Sequence, residues 1–92
     1  MNYIKEQEKW IKENNIKIGD KVIVTRKAES YENGWNDPWI GEMDEFIGKE
    51  CEIIKYLYSI SIEYKKFKYN FPYFVLKKAS VFKLPDELFE IN

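Results

Sequence analysis

Residues 49–76 read KECEIIKYLYSISIEYKKFKYNFPYFVL. Apolar and polar side chains alternate through most of this stretch, and alternation is the signature of a strand with one face buried. Lys49–Tyr58 reads as a strand with Cys51, Ile53, Lys55 and Leu57 on one face. Ile54, Tyr56 and Tyr58 take the other face. Ser59 allows a tight turn, and Ile60, Ile62 and Tyr64 alternate against Ser61 and Glu63 in the next strand. Lys65-Lys66 marks a turn. Phe67–Leu76 is extended and aromatic, and Pro72 interrupts it as an edge position or a short 3₁₀ turn.

Outward from this block, Lys21–Lys27 alternates as an earlier strand, with Val22 and Val24 on one face and Ile18-Gly19-Asp20 as the turn ahead of it. Ala79–Leu84 supplies a last strand. Between the first and second strands lies AESYENGWNDPWIG, residues 28–41, a loop rich in turn pairs. Glu42–Phe46 reads as one helical turn ended by Gly48, with Met43 closing the end of the core and Asp44 capping the turn. At the front, Tyr3, Gln7, Trp10 and Ile11 share one side of a helix capped by Asn2 and stopped at Asn14-Asn15. So short an amphipathic helix needs a surface to dock on, and Trp10 and Ile11 are the expected anchors. The expected organisation is a helix over 1–15, a small antiparallel β-barrel over 16–84 and a tail or helical turn over 85–92.

The 92 residues suffice for one domain, and three Trp, seven Tyr and six Phe exceed what a small core demands. Some of these rings are therefore candidates for binding. Net charge is −1, which gives no general affinity for polyanions. The charge is unevenly spread. Residues 29–45 hold Glu29, Glu32, Asp37, Glu42, Asp44 and Glu45 without a base, and residues 64–83 hold six Lys without an acid. One cysteine, Cys51, excludes an internal disulfide and suits a reducing, cytoplasmic setting. No stretch approaches the length of a membrane helix. Fourteen Lys to one Arg is the usage of AT-rich coding sequence and points to a low-GC bacterium or its phage.

The chain contains no histidine, which removes the commonest general base and metal ligand. No phosphate-cradling glycine loop or calcium loop is present. Cys51 stands between Glu50 and Glu52, whose charge opposes thiolate formation. No catalytic residue, metal site or cofactor is expected, and the chain reads as a non-enzyme.

The block KIGDKVIVTRKAESYENGWNDPWIGEMDEFIGKECEI, followed by NFPYFVLKKA, resembles a group of small proteins and domains of bacteria and their phages. They share GDKVxVTRKAxSxxNGW, then MDxxIGK, then a Phe-Pro strand. The resemblance covers about residues 17–79 and implies an SH3-like barrel of a bacterial cytoplasm, without naming an activity. Where the pattern has glycine, this chain has Cys51.

Binding candidates follow. Tyr31, Trp35, Trp39 and Tyr73, edged by Asp37, Glu42 and Asp44, form the expected partner surface, an aromatic wall with an acidic rim suited to a cation or a peptide. The competing reading makes Trp35 and Trp39 core. Lys65, Lys66 and Lys68, interleaved with Tyr64, Phe67, Tyr69 and Phe71, are the alternative nucleic-acid surface. Alternation alone explains that pattern as lysines outside and aromatics inside. The expected function is a protein- or peptide-binding accessory module encoded by a phage or prophage, with inhibition of a host protein as one form of it. Nucleic-acid binding is the alternative, and a structural, self-associating component is the third.

Overall fold

The computed structural model describes residues 2–79, so the strand expected over 79–84 and the tail over 85–92 lie outside the described residues, apart from Ala79. The first helix, α1, spans Tyr3–Glu13, and the Asn2 side chain accepts the Lys5 N–H at 3.2 Å. Asn14 caps its end and Asn15 takes a left-handed φ of 53°. Asparagine tolerates that conformation better than most residues. The docked face differs from expectation. Tyr3 and Gln7, one turn apart, are buried, whereas Trp10 and Ile11 are only half-buried. The first half of α1 faces the turn at residues 57–59, where Gln7 Nε2 donates to the Leu57 carbonyl at 3.1 Å. Trp10 instead flanks Tyr73, with ring centroids 6.4 Å apart.

The strands are β1 Lys21–Val24, β2 Glu50–Tyr56, β3 Ile60–Tyr64, β4 Phe67–Phe71 and β5 Leu76–Lys78. They make one antiparallel sheet in the order β4-β3-β2-β1-β5. Val22, Val24, Cys51, Ile53, Ile60, Ile62 and Phe71 are buried, as the alternation requires. The β2–β3 register slips between Ile53 and Lys55. This irregularity ends the burial along β2, and Lys55, Tyr56 and Leu57 emerge exposed. β1 is shorter than expected, because Thr25 leaves it to donate both its N–H (2.7 Å) and its hydroxyl (2.9 Å) to the Val75 carbonyl.

Lys65 and Lys66, at φ 51° and 73°, join β3 to β4, and Tyr64 pairs with Phe67. Positive φ at both central positions defines a type I′ turn, whose twist matches the strands it joins. Asn-Gly is the usual occupant, so two lysines hold this turn at a local conformational cost.

After β4, Pro72 lacks an N–H to extend the ladder, and Tyr73–Val75 forms a 3₁₀ turn that carries the chain across to β1. This corrects the expectation of a closed barrel. Among the described residues β4 and β5 are not paired with each other, and the sheet is open. The three residues of β5 pair along one edge with β1, and the other edge of β5 has no strand partner among the described residues. The connection between β1 and β2 covers the inner face. It contributes Ala28, Trp35, Met43 and Phe46 to the core, the last two from a 3₁₀ turn over Gly41–Phe46. No helix among the described residues is long and apolar enough to cross a membrane.

Candidate functional site

The expected partner surface divides into separate places. Trp35 has no exposed surface, and its Nε1–H donates to Ser59 Oγ at 3.0 Å. The Ser59 hydroxyl donates in turn to Asp37 Oδ2 at 2.8 Å. Trp35 and Asp37 thus bind the long connection to the β2–β3 turn, and Trp35 offers a partner no surface. Beside this chain, Tyr3 Oη accepts the Tyr73 N–H at 3.2 Å. Burial pushes the Tyr3 phenol well above its ordinary value, and the charge of Asp37 adds to that.

Tyr73 belongs with the helix, its ring 5.3 Å from Tyr3 and 5.4 Å from Phe74. Tyr31 stands apart, exposed and at φ 65°. The neighbouring loop is held by a fork of bonds from Arg26 to Glu32, at 2.9 and 3.2 Å. The Arg26 guanidinium holds the Glu32 carboxyl below its ordinary range. Trp39 is half-buried, and its Nε1–H donates to Asp44 Oδ1 at 2.7 Å while its ring meets Phe71 edge-on at 5.3 Å. Asp44, expected to cap the turn with backbone bonds, is instead the acceptor for this indole. An indole N–H is a donor that a half-buried ring must place, and Asp44 is the carboxylate within reach.

Two of these residues line concave surfaces. Asp37 lines a polar one at the β2–β3 turn with Lys55, Tyr58 and Asn70. Glu42 lines an apolar groove whose other residues come from elements read separately in the sequence. The groove holds about 200 Å³ between the Gly41–Phe46 turn and the β3–β4 hairpin. Its lining is Glu42, Glu45, Phe46, Tyr64, Lys65, Phe67 and Tyr69. Tyr64, Phe67 and Tyr69 all lie on the inner face of the hairpin, past the point where the core ends. Phe46 forms the buried wall, 5.6 Å from the rings of both Tyr64 and Tyr69. Phe67, paired with Tyr64 beside the turn, stays 62% exposed. Side chains three apart in a 3₁₀ turn eclipse one another, so Glu42 and Glu45 stand together at the rim. Neither belongs to an ion pair among the described residues.

The lysines expected as a nucleic-acid surface do not form one patch with these rings. Lys66 is exposed at the turn. Lys68 lies on the opposite face of β4 from Phe67 and Tyr69, across the ladder from Glu63. Lys65 alone turns inward, its Nζ 5.4 Å from the centroid of the Tyr64 ring.

Cys51 is enclosed, 1% exposed, and its Sγ–H points to the Lys49 carbonyl at 3.4 Å. Burial pushes its thiol up to about 11, and Glu50 adds to the shift. A folded state that holds this proton more tightly than the unfolded chain is favoured below the ordinary thiol range. That advantage is lost as pH rises toward 11. Urea unfolding should therefore show stability falling between pH 8 and 10.5, with Cys51 contributing up to about 2 kcal/mol and the buried Tyr3 phenol adding to the fall toward the upper end. Cys51→Ala, itself less stable, should fall by less over the same interval. An equal fall in both proteins would place the titration elsewhere.

Among the described residues no group of three or more His, Cys, Asp or Glu side chains comes together to hold a metal ion. Comparison with family models, curated proteins and solved structures finds no match for this chain.

Proposed function

We propose that this chain is a non-enzymatic protein- or peptide-binding module whose partner seats in the groove between the Gly41–Phe46 turn and the β3–β4 hairpin. The observation that carries this reading is Phe67, a large ring 62% exposed at the mouth of an aromatic recess with two carboxylates at its rim. An aromatic anchor beside a polar rim is how protein interfaces concentrate their energy. The sheet order and the 3₁₀ turn before the last strand support an SH3-like arrangement, which gives a scaffold and no activity. The biological setting that fits the lysine-rich usage and the sequence resemblance is a phage or prophage accessory protein that occupies a protein of its host.

Nucleic-acid binding makes a different demand, a basic and aromatic face in one place, and the alternation along β4 separates the two. Affinity capture from bacterial lysate with and without nuclease tests the reading. One protein retained in stoichiometric amount after nuclease treatment is the expected result. Capture that disappears with nuclease, and direct nucleic-acid binding that weakens steeply with salt, would replace it with the nucleic-acid reading.

A further inference from the structure

We infer that the groove takes an alkylammonium side chain, lysine or a methylated lysine, presented by the protein partner; this rests on the groove being the binding surface. The first ground is the wall. Tyr64, Phe67 and Tyr69 are three aromatic groups around one recess, and the face of an aromatic ring attracts a cation. The second is the rim. Glu42 and Glu45 face only one cation of the lining, Lys65, so the groove carries an excess of negative charge. The third is Lys65 itself, whose ammonium already rests 5.4 Å from the Tyr64 centroid. The wall therefore accepts an ammonium in the protein as folded. A neutral apolar side chain would gain from the rings but would leave the carboxylates partly desolvated and uncompensated. An acidic one would meet Glu42 and Glu45 directly.

The test is an aromatic proton–carbon NMR titration of the full chain with three small probes. They are N-acetyl-lysine methylamide, its Nε-trimethyl form, and the neutral isostere of the latter with carbon in place of nitrogen. At least one cationic probe should shift the Tyr64, Phe67 and Tyr69 rings saturably and bind roughly fivefold tighter than the isostere, the size of an exposed cation–ring contact. Glu42→Gln with Glu45→Gln, both at exposed positions, should erase most of that preference while leaving the isostere's affinity unchanged. Equal binding of cation and isostere, shifts confined to other rings, or an undiminished preference in the double variant overturns the inference. Such an outcome is distinct from failure of the groove as a binding surface, because a groove seating a neutral anchor would still lose its partner on removal of Phe67.

Discussion

Replacing Trp35 by alanine is expected to cost about 3–5 kcal/mol and to leave much of the protein unfolded at room temperature. The indole is fully enclosed, so its removal forfeits the burial of the largest side chain in the core and opens a cavity that a sheet on one side cannot close. The change also removes the donor to Ser59 Oγ. The link from Ser59 to Asp37 survives, but the connection between β1 and β2 loses its main attachment to the β2–β3 turn. Trp39→Ala provides the contrast. That ring is half-buried, and it loses one edge contact to Phe71 and one hydrogen bond to Asp44. About 1–2 kcal/mol is expected for it. Urea unfolding followed by far-UV circular dichroism separates the cases. Equal losses for the two tryptophans would contradict the division of the loop into core and flank.

Phe67→Ala carries the second large effect, on binding alone. The ring is 62% exposed, so truncation should change stability by no more than about 0.5 kcal/mol. If the ring is the central anchor, affinity for the captured partner should fall by about 2 kcal/mol or more, roughly thirtyfold. Exposure alone does not predict this. Leu57 and Tyr58 are comparably exposed, at 59% and 75%, on the β2–β3 turn. Their alanine variants should leave binding unchanged, because that turn lies away from the groove lining.

Local chemistry was legible in the sequence wherever it acts over a few residues. Asn2 and Asn14-Asn15 bound the helix, the alternation through Ile60 and Ile62 fixes the buried face of β3, and Pro72 breaks the last aromatic run. The docked face of α1 was not legible. Tyr3, Gln7, Trp10 and Ile11 all satisfy the helical period, and only the position of the β2–β3 turn selects the first two. The open sheet was equally hidden, since closure depends on whether the free edges of β4 and β5 meet in space, which the strand pattern does not encode.

An aromatic wall with acids at its edge was expected from the sequence, and proximity in the loop suggested Trp35, Asp37 and Trp39 for it. The fold uses those three to fasten the loop, and their hydrogen bonds run to Ser59 and Asp44. The groove instead joins an acidic turn at 42–46 to rings at 64–69. The two were visible as separate runs of charge and aromaticity, and only the sheet topology brings them together. Phe67 carried one usable signal. It follows a turn of two lysines directly, at the end of a strand, where alternation places a ring on the inner face but no core remains to cover it.

The most direct test of the groove is the dissociation constant of Phe67→Ala for the nuclease-resistant partner, measured beside its thermal unfolding. The expected pair is an affinity at least roughly thirtyfold weaker with an unchanged melting temperature. Full affinity in a folded Phe67→Ala protein would contradict the account and place the partner on another face.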